Sequence, residues 1–237
     1  MKLDIQLCWS SAGGTDVGLV RSRNEDAFLA QPERGLWAVA DGMGGHAFGD
    51  VASRAVVDAL ASLEGAATLP ALIDAARARL QQVNLALRAD AQARRVPMMG
   101  STVVVLLAQG AEVACLWAGD SRIYLYRDGQ LRQLTQDHSH AETNMITRAV
   151  GAAETLELDV NTVMARDGDI FLLCSDGLSN PVDDPAIQDT LASGDCVHAT
   201  QALIAQARAN GGRDNITAVV VRADAADSDK TMLNPAL

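Results

Sequence analysis

Leu36-Trp37-Ala38-Val39-Ala40-Asp41-Gly42 carries five apolar residues straight into an acid and a glycine. A short apolar run bounded by turn residues reads as a buried strand, which leaves its acid on the strand rim. The same grammar recurs along the chain. Asp120 follows Val113-Ala114-Cys115-Leu116-Trp117-Ala118-Gly119, and Asp176 follows Ile170-Phe171-Leu172-Leu173-Cys174-Ser175. Asp214 stands just before Asn215 and the run Ile216-Thr217-Ala218-Val219-Val220-Val221. Asp26 ends Asn24-Glu25-Asp26 and leads into Ala27-Phe28-Leu29-Ala30.

Working outward, strands are predicted over 5–10, 36–40, 102–108, 112–117, 122–127, 170–174 and 216–221. Arg127-Asp128-Gly129-Gln130 is a hairpin turn, because Asp-Gly tolerates positive φ. Two long helices interrupt the strands. Val51, Ala52, Ala55, Val56, Ala59, Leu60 and Leu63 share one face of the first. Leu69, Leu72, Ile73, Ala76, Leu80, Val83 and Leu87 share one face of the second, whose first turn suits Pro70. A further helix fits 196–209. Strands and helices come in runs without strict alternation, which points to an α+β fold with antiparallel sheets. One domain is expected over 1–224, with a polar, aperiodic, mobile tail over 225–237.

Antiparallel strands can bring several rims to one sheet edge. Carboxylates gathered there repel one another and resist ionisation. A divalent cation removes that conflict, and all-oxygen ligands favour magnesium or manganese over zinc. Two ions sharing a bridging carboxylate would lower the pKa of a bridging water. Asp at a strand end is also ordinary turn chemistry. The small residues beside these acids favour the ion, since they let a backbone carbonyl approach it.

Composition narrows the field. The 237 residues carry a net charge of -11, which repels a polyanion, so no nucleic-acid partner is expected. A phosphorylated substrate would need its own local cation or Arg. The four cysteines form no C-x-x-C pair; Cys8, Cys115 and Cys174 lie in apolar runs and read as buried thiols. No run reaches the roughly 18 apolar residues of a membrane span, and no signal-peptide pattern opens the chain. A cytoplasmic, membrane-free protein is expected.

Several motifs in register resemble the metal-dependent (PPM, type-2C) protein phosphatases. They are Thr15-Asp16-Val17-Gly18-Leu19-Val20-Arg21 with Asn24-Glu25-Asp26, Val39-Ala40-Asp41-Gly42-Met43-Gly44-Gly45-His46, and Met99-Gly100-Ser101-Thr102. Ala118-Gly119-Asp120-Ser121-Arg122, Leu134-Thr135-Gln136-Asp137-His138-Ser139 and Ile146-Thr147-Arg148-Ala149-Val150-Gly151 continue the series. Ser175-Asp176-Gly177-Leu178 and Gly212-Arg213-Asp214-Asn215-Ile216-Thr217 close it.

The resemblance implies two packed antiparallel β-sheets flanked by helices, an α-β-β-α sandwich with the metals at one edge. It implies Mn2+ or Mg2+, two ions and a weaker third. Asp41 would bridge two metals, with the Gly42 carbonyl on one of them and Asp176 and Asp214 completing the other. Glu25 and Asp26 would hold metal-bound waters, and Asp120 with Asp176 would serve the third ion. Arg21 would fork onto the substrate phosphate, and a metal-activated water would attack phosphorus directly. Met43 stands where some members carry a His after Asp-Gly, so either His46 or a metal-bound water would protonate the leaving oxygen. Residues 137–151 correspond to a variable flap, where His138 and Ser139 are turn contacts or substrate contacts. The implied partners are phosphorylated Ser/Thr proteins, a cognate Ser/Thr kinase and a forkhead-associated-domain protein, acting as a monomer. Overall the chain also looks like phosphatases found beside type VI secretion systems.

Three rivals fit poorly. Cys115 and Arg122 miss the C-x5-R spacing by one residue. Asp167-Gly168-Asp169 precedes its strand, where a phosphoaspartate nucleophile should follow one. Gly42-Met43-Gly44-Gly45-His46-Ala47 matches a dinucleotide loop, but its helix runs into a second helix and not a parallel strand.

Overall fold

Apolar runs with no polar alternation must be buried on both faces, and that requirement builds the sandwich. The computed structural model describes residues 6–44, 48–140 and 145–226. One sheet holds β1 (Leu7–Asp16), β11 (Ile216–Ala225), β10 (Ile170–Cys174), β7 (Arg122–Arg127) and β8 (Gln130–Gln133), in that order. The other holds β2 (Asp26–Gln31), β3 (Leu36–Met43), β5 (Val103–Gln109), β6 (Glu112–Ala118) and β9 (Asp159–Met164). The short β4 (Gly100–Ser101) pairs with the end of β3. The pairings along both sheets are antiparallel.

The period-two geometry of each strand divides its side chains between layers. Trp37 and Val39 of β3 meet Phe171 and Leu173 of β10 and Val219 and Val221 of β11 between the sheets. Leu36, Ala38 and Ala40 face the other way, onto α1 (Gly49–Ala61) and α2 (Leu69–Arg94). On the opposite side, Leu172, Cys174, Ala218 and Val220 pack on α4 (Asp184–Leu191) and α5 (Cys196–Ala209), with the one-turn α3 (Asp176–Ser179) beside them. Each large side chain buried this way contributes about 1.5–3 kcal/mol. The predicted α+β, α-β-β-α architecture is the observed one.

Differences are local. β1 extends to Asp16 through Gly13-Gly14, which carry no strand signal. β9 is an edge strand of mixed polarity, so it lacks an apolar run. α2 continues to Arg94 because Ala91 prolongs its buried stripe. Cys8 is exposed, correcting the expectation of a buried thiol. The first residue of α5, Cys196, lies level with Ser10, so Cys8 projects past the helix that covers this face. The Asp128-Gly129 turn has positive φ at both residues, 52° and 77°. Asp167-Gly168-Asp169 is a turn whose Asp169 is buried against Arg127 at 2.6 Å. The helix after Gly42 leads into a second helix, which removes the dinucleotide rival. No helix among the described residues is long and apolar enough to cross a membrane. The predicted tail lies, from 227 onward, outside the described residues.

Candidate active site

Strand pairing alone assembles most of the acids. Asp26 and Asp41 are cross-strand partners on β2 and β3. On the other sheet, β10 ends just before Asp176, and β11 begins just after Asp214 and Asn215, with Cys174 opposite Ala218. A buried polar tie joins the two sheets at this edge. Asp26 Oδ2 accepts hydrogen bonds from Ser175 Oγ at 2.8 Å and Thr217 Oγ1 at 2.7 Å. The backbone N–H of Thr217 donates to Ser175 Oγ at 3.0 Å.

The rim of β3 is fixed independently of its carboxylate. Asp41 N–H donates to Thr102 Oγ1 at 3.0 Å, and its carbonyl accepts from Thr102 N–H at 2.8 Å and Ser101 Oγ at 3.0 Å. Gly42 N–H donates to the Glu25 carbonyl at 3.0 Å. A Cβ on Gly42 would collide with the Gly49 carbonyl, so only glycine lets the β3 end and the start of α1 meet here. Glu25 is held through its backbone N–H, which donates to Asn215 Oδ1 at 2.8 Å.

The acids are close enough to disturb one another. Burial, then the charges of Asp26, Asp176, Asp214 and Asp120, holds the Asp41 carboxyl well above the usual carboxylate range. Asp176 is raised by burial and by Asp214, and lies within hydrogen-bonding reach of Asp41. Burial lifts Asp26 to about 7, and burial together with Asp176 lifts Asp120 to about 6. Asp26 Oδ1, Asp120 Oδ1 and Asp176 Oδ1 are buried without a hydrogen-bond partner. Unsatisfied buried anionic oxygens are costly, and a hard cation is the group that satisfies them. These residues therefore fit a divalent metal. Among the described residues no three acidic, His or Cys side chains converge tightly enough to form a finished cage. The fit rests on the orphaned oxygens and their mutual repulsion.

The burial of Asp26 has a pH signature. Asp26 binds its proton more tightly folded (about 7) than unfolded (~4). Its contribution to stability is therefore fully present below pH ~4 and is lost as pH rises through about 7. Chelator-treated wild type is expected to lose melting temperature against Asp26→Asn as pH rises from about 4.5 to 7.5. The Asn amide oxygen still accepts from Ser175 and Thr217. A melting-temperature offset that stays constant with pH would contradict the burial assignment.

Arg21 Nη2 donates to Asp214 Oδ2 at 2.7 Å, and that contact raises the guanidinium pKa, with Glu25 and Asp41 adding to it. Half-exposed, Arg21 stands at the mouth of the acid cluster. All the sequence-predicted site residues except His46 gather at this edge: Arg21, Glu25, Asp26, Asp41, Gly42, Asp120, Asp176 and Asp214. His46 lies outside the described residues. Sequence reasoning gave no role to Asn215, which donates to the Val17 carbonyl at 3.0 Å and the Arg23 carbonyl at 2.8 Å and so clamps the loop bearing Arg21. Nor did it assign roles to Ser175, Thr217 and Thr102. The only signal for Ser175 and Thr217 was their place in motifs that carry an acid, and for Thr102 its place in Met99-Gly100-Ser101-Thr102.

Residues 19–219 match the family model "Protein phosphatase 2C". Serine/threonine protein phosphatase PstP of Mycobacterium tuberculosis is 39% identical over 95% of this chain. This chain spans 47% of that protein, so about half its length. PppA, described as a key regulatory component of T6SS in Pseudomonas aeruginosa, superposes with a TM-score of 0.88 at 48% identity, covering 91% of this chain and 97% of PppA. The catalytic domain of PstP in complex with two manganese ions superposes at 0.85 with 37% identity, covering 92% of this chain and 99% of that domain. With the family model covering most of its length and the acids gathered at one edge of the sandwich, the chain belongs to the protein phosphatase 2C family.

Proposed function

We propose that this protein is a metal-dependent serine/threonine phosphoprotein phosphatase. The observation that carries the reading is the edge where Asp26, Asp41, Asp120 and Asp176 share a buried, mutually repelling cluster beside Arg21. Asp41, the Gly42 carbonyl, Asp176 and Asp214 would hold two Mn2+ or Mg2+ ions; Glu25 and Asp26 would orient solvent around them. Asp120 with Asp176 would serve a third. The manganese-bound PstP domain supports the choice of ion. Bound there, the ions supply Lewis acidity and activated water at neutral pH.

The chain's own residues do the rest. The Arg21 fork matches two phosphoryl oxygens, which fixes phosphorus for in-line displacement and offsets charge on the transferring group. Asn215 holds the Arg21 loop in place, and Thr102 with Ser101 holds the Asp41 rim. His46 or solvent delivers the proton to the leaving serine or threonine oxygen. The proposal extends to a cytoplasmic monomer opposing a Ser/Thr kinase, with a forkhead-associated-domain protein as phosphorylated partner and type VI secretion as its setting. The likeness to PppA supports that setting.

Turnover of a phosphothreonine peptide tests the reading. Release of phosphate is expected with manganese, to vanish with chelator and to return on re-addition. Full activity in chelator would overturn it.

A further inference from the structure

We infer that His138 is a positioning residue for Asp120, tying Thr147 and Arg148 to the acid edge; the inference rests on the phosphatase reading above. Asp120 Oδ1 is buried without a partner, so the direction of this carboxylate depends on the peptide before it. That peptide belongs to Gly119, whose φ of +115° and close contact with Thr102 leave no room for a side chain.

His138 grips Gly119 from both sides. Its backbone N–H donates to the Gly119 carbonyl at 2.9 Å, and its Nδ1 accepts from the Gly119 N–H at 3.3 Å. An imidazole accepting at Nδ1 carries its proton on Nε2. Nε2 lies 3.2 Å from Asp159 Oδ2, to which it then donates, and 3.4 Å from Arg148 Nη1. Asp159 Oδ1 in turn accepts from Arg148 at 2.8 Å. The ring, 9% exposed, stacks 14° from parallel on Trp117 with 6.0 Å between centroids. Trp117 donates to the Gln136 carbonyl at 2.8 Å, and Trp117 and Asp159 are cross-strand partners on β6 and β9.

Thr147 and Arg148 join the same post. Thr147 N–H donates to the His138 carbonyl at 2.8 Å. Arg148 thus holds the ring's partner, Thr147 holds its backbone, and the ring holds Gly119. A displacement of Thr147 or Arg148 is carried through His138 to the peptide that aims Asp120. This is the arrangement by which an outer hydrogen bond orients a metal ligand, and loss of such a bond typically lowers metal affinity ~10–100-fold.

Three substitutions separate positioning from simple support. His138→Asn places an amide oxygen near the position of Nδ1 and keeps the acceptor for Gly119. His138→Gln reaches the Nε2 position and loses that acceptor. His138→Phe keeps the stacking on Trp117 alone. Manganese titrations by calorimetry are read beside kcat and KM for p-nitrophenyl phosphate and melting in chelator. Gln and Phe are expected to weaken the weakest manganese step by ~10-fold or more, with Asn close to wild type. In Gln and Phe, kcat should recover at higher manganese while KM stays unchanged. Gln matching Asn, or wild-type isotherms in all three, overturns the inference; so does manganese binding that follows the melting order instead of the acceptor. Wild-type protein with no weak manganese step overturns the reading of Asp120 itself, and the inference falls with it.

Discussion

Asp41→Asn is expected to abolish metal-dependent phosphate release, lowering kcat by roughly 10³-fold or more, about 4 kcal/mol of transition-state stabilisation. Asp41 is the acid whose carboxyl feels Asp26, Asp176, Asp214 and Asp120 together. Replacing it with a neutral amide removes the charge that could offset two cations at once. The fold should survive, because the hydrogen bonds that fix this residue are made by its backbone with Thr102 and Ser101. In chelator the variant should melt no lower than wild type, since one member of a repelling cluster is gone. Loss of activity with unchanged melting assigns the effect to the site. A variant that retains wild-type kcat contradicts the account.

Arg21→Ala is expected to raise KM for a phosphopeptide by ~10–100-fold, in keeping with about 1.5–3 kcal/mol for a charge-assisted hydrogen bond. Manganese affinity should not fall, because the guanidinium is a cation beside a cation site and its removal takes away repulsion. Arg21→Lys should restore only part of the loss, as a point charge without the planar fork. Steady-state kinetics and a manganese isotherm on the same variants check both statements. A KM unchanged in Arg21→Ala would place the phosphate elsewhere. A large fall in manganese affinity would make Arg21 a support for the acids instead.

The central strands were legible in the sequence because burial on both faces leaves an unbroken apolar run, as in β10 and β11. The span of α5 and the Asp128-Gly129 turn were legible for local reasons, an amphipathic stripe and a residue pair tolerant of positive φ. Edge elements were not. β9 is only half-buried, so it carries polar residues at positions a central strand would fill with Val or Ile. α4 carried a start signal that went unread, an Asp183 side chain capping Ala186 N–H at 3.0 Å ahead of Pro185.

At the site, Asp26, Asp41, Asp120, Asp176 and Asp214 could be found because each stands within two residues of the end of an apolar run, while Glu25 was legible only through the motifs. Their supports could not. Asp26 and Thr217 are 191 residues apart in sequence, and their hydrogen bond exists only once the sheets pack. Asn215 likewise acquires its grip on Val17 and Arg23 only when β11 and the Arg21 loop are neighbours. Asp50, whose Oδ1 is also buried without a partner, was given no role by sequence and has none assigned by the geometry.

A manganese isotherm comparing wild type with Asp41→Asn tests the central claim most directly. Two tight equivalents on the wild-type protein, both lost or severely weakened in the variant, are the expected outcome. Two equivalents bound with undiminished affinity by Asp41→Asn would contradict it.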